Sequence, residues 1–329
     1  MVGVFRDYNP FGIIFLFFYG LILKYASFIA PHIPVAQPSD GFLYHALLSA
    51  LQGPGKSSPV IYPVFSYFLV FTQAIILNNL VNNRRLLPKP SFLAAMAYLL
   101  ITSFFPEWWQ FSSTLIVNSL LVWVWARMSG LYNHPRAKLV LLNIGMVLGV
   151  CSFFYFPSIA FILLMFFALL IMRPFRLAEW MMGILGCMIP YYFLFAYLYL
   201  TGQWDQSKFL PSITLSYPTF QQTIWAWGGL LLLVVPFMIS GFFIQGNILR
   251  MLIQVRKSWS LLLLYLLVAL IVPFINSSST FEYWVLSAPA FAIFHAGTFH
   301  YSQKKYLPVI LHWVMVLFVL ALNYAVLNL

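Results

Sequence analysis

The chain has 329 residues, of which 63% are hydrophobic and only 7% charged, with a mean hydropathy of +0.91. A soluble globule carries about 25% charged residues, so most of this chain is excluded from a water-facing surface. The net charge of +11 does not indicate a nucleic-acid partner, because the cations stand in short loops beside apolar runs, where lipid orientation and anionic headgroups account for them.

In chain order, the apolar runs predict eleven spans, each needing about 20 residues to cross a hydrocarbon layer of about 30 Å. They are Phe11–Ala30, Pro59–Val81, Ser91–Phe105, Phe111–Met128, Leu139–Phe156, Pro157–Met172, Leu177–Leu200, Thr223–Ile244, Ser258–Ile275, Trp284–Phe299 and Tyr306–Leu327. The expected fold is an all-α polytopic transmembrane bundle, one integral-membrane domain over residues 1–329 without a soluble domain. Two long polar loops interrupt it, Pro31–Ser58 and Thr201–Gln222. The first run is too long and bulky for a signal core and is expected to remain as a helix. Cys151 and Cys187 both fall inside apolar runs and imply neither a disulfide nor a metal site.

The basic residues orient the bundle. With the first run leaving the cytoplasm, fourteen of the seventeen Lys and Arg residues fall in cytoplasmic gaps, among them Arg6, Arg84, Arg127, Arg173, Arg176 and Arg256. Lys24, Lys56 and Lys208 fall outside. This asymmetry predicts a cytoplasmic amino terminus and, with an odd number of spans, a carboxyl terminus on the far side. The indoles, such as Trp108, Trp109, Trp204, Trp225 and Trp284, mostly mark span ends, where a ring with an apolar body and a wet N–H is favoured.

The most distinctive local pattern runs from Leu139 to Met172. Gly145 and Gly149, four residues apart, suit close helix packing. Pro157 ends the incoming helix and suits the first turn of the outgoing one.

Only six acids exist, so their positions carry weight. Asp7 and Glu179 stand beside Arg6 and Arg176, which favours local ion pairs. Asp40, Glu107, Asp205 and Glu282 come from four different outer loops that can converge over one mouth of the bundle. Asp40, before Gly41–Leu51, has the preference of a helix N-cap; its functional alternative is a catalytic base or a metal-phosphate ligand, with His45 nearby. Glu107, between Pro106 and Trp108-Trp109, is a partly desolvated carboxylate suited to acid chemistry or to a polar headgroup. Glu282 repeats that setting, with Ser279 or Thr280 as the cap of the following helix. No acid sits mid-span. His295 is the best buried candidate, and a hydrogen-bonded packing role is the simpler reading, which disfavours proton-coupled transport. No phosphate-cradling loop, His-Glu-x-x-His pair or nucleophile elbow occurs.

Two resemblances attach to these residues. Val4-Phe5-Arg6-Asp7-Tyr8-Asn9-Pro10, Ser39-Asp40-Gly41-Phe42-Leu43-Tyr44, Phe105-Pro106-Glu107-Trp108 and Arg173-Pro174-Phe175-Arg176-Leu177-Ala178-Glu179-Trp180 resemble an uncharacterised family of multi-pass inner-membrane proteins of Bacteroidota. More distantly, the architecture is similar to the GT-C class of membrane glycosyltransferases, which use polyprenyl-phosphate sugar donors. Asp40 matches the acid that such enzymes place in the first outer loop, and Gly145 through Leu170 matches their glycine-rich helix, turn and leucine-rich return helix. The chain departs from that class where Phe156, rather than a cation, precedes Pro157, and the first loop lacks a second acid paired with Asp40.

The resemblance implies a transferase at the periplasmic face of the bacterial inner membrane. Asp40 and Glu107 would be its catalytic residues, His45, Lys56, Lys208 and Glu282 would bind substrate, and a divalent metal is a candidate cofactor. The expected partners are the bilayer and a polyprenyl-phosphate lipid. A non-catalytic scaffold subunit of a secretion, motility or surface-export assembly, with a membrane-protein partner, is the alternative reading, and a lipid or solute transporter is a third.

Overall fold

The structure, a computed structural model, describes residues 2–202, 214, 223–276, 280–302 and 306–327. Fourteen α-helices occur among the described residues: α1 (Val2–Arg6), α2 (Gly12–Leu23), α3 (Tyr25–Ile29), α4 (Phe42–Ser57), α5 (Ile61–Asn83), α6 (Leu93–Ile101), α7 (Ser113–Met128), α8 (Ala137–Phe154), α9 (Ile162–Met172), α10 (Leu177–Leu200), α11 (Ile224–Asn247), α12 (Ile253–Ile271), α13 (Ala288–Tyr301) and α14 (Tyr306–Leu327). Short 3₁₀ turns join several of them, including Pro106–Trp108, Phe156–Phe161 and Glu282–Ser287. Among the described residues there is no strand, and an isolated bridge pairs Asp40 with Tyr155.

Among the described residues, six helical segments are long and apolar enough to cross a membrane: Ile61–Asn83, Ala137–Phe154, Leu177–Leu200, Ile224–Arg250, Ile253–Phe274 and Tyr306–Leu327. Their outward faces are apolar, with Phe68, Tyr192, Phe193, Leu231, Phe242 and Leu317 exposed. A water-soluble monomer does not present so much contiguous apolar surface, whereas an integral membrane protein requires it. Each of the eleven runs expected as spans does fold as helix, but five are shorter than a full crossing. α6 has nine residues, about 14 Å at 1.5 Å per residue, and all nine are buried. In α13, every residue from Ala288 to Phe299 is buried. Both are apolar because they pack inside protein, which hydropathy cannot distinguish from contact with lipid. The first run breaks at Lys24, whose ammonium turns inward and donates to the Thr102 carbonyl at 2.8 Å.

The α8–α10 pair is the closest helix contact. A Cβ on Gly145 would lie 2.2 Å from the Gly183 carbonyl oxygen, and one on Gly186 would lie 2.2 Å from that of Leu142. The two backbones therefore touch directly, which only small residues permit. Gly149 sits one turn further along against Cys187 and Pro190, and Pro157 lies in the 3₁₀ turn leading into α9.

The bundle has two chemically different ends. At the start of α7, Ser113 bonds Asp40; near its other end, the Ala126 carbonyl accepts from Arg84 at 3.0 Å. Thirteen residues of helix put these points about 20 Å apart. At the Arg84 end the guanidinium of Arg173 meets Glu179 at 2.9 Å and donates to the carbonyls of Leu131 and His134 at 3.1 and 3.0 Å. Arg176 is the weaker partner of Glu179, at 4.0 Å and largely exposed.

Candidate functional site

The other end is built around Asp40. Residues Ser39–Gly41 run antiparallel to Phe154–Phe156, with Gly41 N–H donating to the Phe154 carbonyl at 2.8 Å and Phe156 N–H to that of Ser39 at 3.2 Å. The contact is tight enough that a Cβ on Gly41 would fall 2.2 Å from the Phe153 carbonyl oxygen. The break between α8 and α9 at Pro157 thus supplies an extended edge, and the Asp40 segment docks on it.

Asp40 does not cap α4, contrary to the expectation from its position before the helix. Gly41 holds the cap position in extended backbone without a side-chain bond. The Asp40 carboxylate instead turns back to accept the Gln37 N–H at 2.7 Å and reaches across to accept the Ser113 hydroxyl. Those bonds satisfy a carboxylate that is only 6% exposed. Ser112 takes the capping duty for α7 by accepting the Leu115 N–H at 3.2 Å, which leaves Ser113 free to face Asp40.

A second layer covers this pair. The Ser39 hydroxyl lies 2.5 Å from the Tyr283 hydroxyl, and the Tyr155 and Tyr283 rings are 4.8 Å apart. Tyr283 follows Glu282, the first residue of its 3₁₀ turn. Trp108 Nε1 donates to the Phe281 carbonyl at 2.8 Å and so ties the Glu107 turn to the Glu282 turn. Glu107 and Glu282 then line one cavity of about 230 Å³, together with His32, Gln37, Tyr44, Gln110, Ser112 and Thr280. A second cavity of about 170 Å³ adjoins it, sharing His32, Gln110 and Phe111.

Behind this polar space lies an apolar groove of about 410 Å³ that includes Phe105, Trp108, Trp227, Phe281, Trp284 and Phe291. Trp108 and Phe281 are the chain neighbours of Glu107 and Glu282. The same two turns therefore present carboxylates on one side and aromatic rings on the other.

Three carboxyl groups share this end with no Lys or Arg among the cavity's described lining. Burial raises the proton affinity of Asp40, opposed by the Gln37 N–H, the Ser113 hydroxyl and the nearby His45. Burial likewise raises Glu107. Glu282 is pushed up to about 8, first by burial and then by repulsion from Asp40 and Glu107. Glu282 retains partial accessibility, but it opens onto a confined cavity rather than bulk water, which leaves its charge poorly solvated. At neutral pH Glu282 favours its protonated form and can donate, while the Asp40 carboxylate already accepts two hydrogen bonds. Carboxyl groups with environments that differ in this way are suited to separate acid and base roles.

The structure brings Asp40, Glu107 and Glu282 together from three separate loops. His45 is exposed in the first turns of α4, close enough to favour the ionised form of Asp40. Lys56 is exposed at the far end of α4 and does not line the cavity; eleven helical residues place it about 16 Å beyond His45. Lys208 and Asp205 lie outside the described residues. The proposed cap of the Glu282 turn is not Thr280, since Phe281 holds that position without a side-chain bond, and Ser279 is outside the described residues. His295 sits at the packing interface, with its ring nitrogens 2.7 and 3.2 Å from the carbonyls of Phe291 and Leu232. Sequence reasoning missed Gln37, Ser113, Tyr155 and Tyr283; only the Ser112-Ser113 pair opening an apolar run gave a readable signal. Among the described residues, no three His, Cys, Asp or Glu side chains converge closely enough to hold a metal ion, so no step is assigned to one.

Comparison with family models, curated proteins and solved structures yields no match to this chain.

Proposed function

We propose that this end of the bundle is the working site of a GT-C-like transferase that takes a polyprenyl-phosphate-linked sugar from the bilayer. In this reading the bundle lies in a bacterial inner membrane, of the kind found in Bacteroidota, with its amino terminus in the cytoplasm. The acidic end then faces the periplasm and the Arg84–Arg173 end faces the cytoplasm, as the distribution of cations favours.

One observation carries the proposal. Two short turns place Glu107 and Glu282 in a polar cavity, while Trp108 and Phe281, next to them in the chain, line an apolar groove. That juxtaposition suits a ligand with a hydroxyl-rich head and a long apolar tail. The carboxylates, amides and hydroxyls of the cavity match sugar hydroxyls, which both donate and accept. A phosphate finds no Lys or Arg in the same described lining to balance its charge. The sugar is therefore assigned to the cavity and the phosphate to its rim.

Asp40 is the base in this scheme. Its carboxylate accepts the proton of the acceptor hydroxyl, and the resulting oxygen attacks the anomeric carbon. The bond from that carbon to the phosphate oxygen breaks, and the electron pair leaves with the polyprenyl phosphate. Protonated Glu282 donates a hydrogen bond to the developing charge on the leaving oxygen, and Glu107 orients sugar hydroxyls.

The test is Asp40→Asn in the full-length protein. Glycosyl transfer from a polyprenyl-phosphate sugar should fall at least about a hundredfold, as loss of a general base commonly does, at unchanged protein abundance. Purified protein should also carry polyprenyl phosphate detectable by lipid mass spectrometry. An Asp40→Asn protein with full cellular function, and no such lipid bound, would refute the assignment. A stoichiometric protein partner in place of the lipid would favour a scaffold.

A further inference from the structure

A chain of buried polar side chains lies beneath the acidic cavity, inside the helical core, and serves no catalytic role in the scheme above. Gln73 of α5, Tyr98 of α6 and Asn118 of α7 are each 1% exposed or less. Gln73 Nε2 donates to the Leu115 carbonyl at 2.8 Å and to the Ser119 hydroxyl at 2.6 Å. Asn118 Nδ2 donates to the Tyr98 hydroxyl at 2.9 Å and to the Val285 carbonyl at 3.3 Å. The Tyr98 hydroxyl in turn donates to Gln73 Oε1. A carbonyl oxygen only accepts, so Leu115 and Val285 fix which way both amides point. The hydrogen bonds consequently run in one direction, from Asn118 through Tyr98 to Gln73.

The place where this chain ends is informative. Val285 lies in the 3₁₀ turn Glu282–Ser287, three residues after Glu282, and at three residues per turn the two are stacked in register. Pro289 has no N–H, so it cannot give the Val285 carbonyl an α-helical bond. That carbonyl takes the Ala288 N–H in the tighter 3₁₀ pattern and the Asn118 amide as well. The neighbouring carbonyl, Leu286, is held by the Tyr265 hydroxyl at 2.9 Å. At the start of the same α7, five residues before Asn118, Ser113 holds Asp40. One helix thus grips both the Asp40 loop and the Glu282 turn.

We propose that Asn118, seated by Tyr98 and Gln73, is the positioning residue of the acidic site, fixing the Glu282 turn at its height over the Asp40–Ser113 pair. Polar bonds inside an apolar core are the means, because a side chain that lets go there finds no water as a substitute. The inference builds on the reading of this end as the working site, but its test needs neither substrate nor turnover.

The readout is carbodiimide labelling of Glu282 against pH, followed by site-resolved mass spectrometry on the full-length protein in detergent. Only the protonated carboxyl reacts, so the midpoint reports how deeply Glu282 is buried in its turn and how closely it is held to Asp40 and Glu107; His32, His45, Tyr44, Tyr155 and Tyr283 are the other titratable groups around it. In the parent protein the midpoint is expected near 8. Asn118→Leu releases the turn, and the midpoint should fall by about one unit or more, a tenfold change in proton affinity. Tyr98→Phe keeps the volume and removes the hydroxyl between the two amides, so it should shift the midpoint the same way by less. Ser129→Ala removes a buried bond to the Ala126 carbonyl (2.9 Å) at the opposite end of α7, and it should leave the midpoint in place. If Asn118→Leu does not fold, Tyr98→Phe decides alone. A folded Tyr98→Phe or Asn118→Leu protein with the parental midpoint overturns the proposal. A shifted midpoint in a protein that transfers no sugar would instead leave the positioning role standing and count against the transferase reading.

Discussion

The two ends of this bundle treat charge in opposite ways. At the basic end Arg173 has a carboxylate and two carbonyls, Arg84 has the Ala126 carbonyl, and Lys257 and Arg127 lie over the rings of Tyr132 and Trp123. At the acidic end Glu107 and Glu282 line a cavity that has no Lys or Arg in its described lining, and buried Asp40 lies close enough to repel Glu282. The first arrangement lowers the free energy of the fold. The second raises it, and a strained cluster of that kind is the signature of a site that binds or transfers something. If the acidic end is the working site, as proposed, stability and function are separated along the helix axes.

The same glycine substitution should expose the difference most strongly. Gly41→Ala drives a Cβ against the Phe153 backbone carbonyl at 2.2 Å, and neither backbone segment of that contact can yield without moving Asp40. Gly130→Ala at the basic end meets the Arg84 guanidinium at 2.4 Å, the far end of a flexible side chain that can swing aside. Gly41→Ala is expected to abolish activity in a cellular complementation assay and to cost about 1–3 kcal/mol of stability, the usual range for overpacking. Gly130→Ala should leave activity at the parental level and cost only about 0.5–1.5 kcal/mol, because the guanidinium that swings aside gives up its bond to the Ala126 carbonyl. Equal effects in thermal unfolding would mean that the two contacts do not differ in rigidity.

Removing a carboxylate should give opposite signs at the two ends. Glu282 has a folded-state proton affinity raised above its ordinary value of 4.5, to about 8. Such a group contributes its full stability below about pH 4.5, and that contribution is lost as pH rises toward 8. Parent protein should therefore melt at progressively lower temperature between pH 5 and 8 by differential scanning fluorimetry, on the order of several degrees. Glu282→Gln should flatten that slope and be the more stable protein at the alkaline limit. A parental melting curve that rises over this interval would show that Glu282 is not strained by its neighbours.

How much of this was legible beforehand differs between chemistry and geometry. Four outer acids were visible because the chain has so few; three of them, Asp40, Glu107 and Glu282, come together, while Asp205 lies outside the described residues. The orientation of Asp40 was not visible: a helix-capping preference is local, whereas its actual bonds reach Ser113, 73 residues away in the chain. Nor could hydropathy separate α6 from a span, since a helix wrapped by protein and one wrapped by lipid call for the same residues. The glycines of α8 were readable as a packing face, but their partner was not, because Gly183 and Gly186 become meaningful only when α10 is laid against them.

The smallest expected effects belong to the basic end and measure how far its charges stabilise. Glu179 is 2% exposed and meets Arg173 at 2.9 Å. Glu179→Gln keeps a hydrogen-bond acceptor but removes the countercharge, and Arg173 retains its two carbonyls. The expected loss is about 1–3 kcal/mol, without effect on the acidic site. Lys257→Gln should cost less, about 0.5–1 kcal/mol, because its ammonium lies over the Tyr132 ring, 4.6 Å from the centroid, rather than against a carboxylate. Denaturant titration of both variants beside Glu282→Gln at pH 8 provides the comparison: two losses at one end and a gain at the other. A loss in Glu282→Gln as large as that in Glu179→Gln would mean that the acidic end is held together by its carboxylates, and the division of labour between the ends would fail.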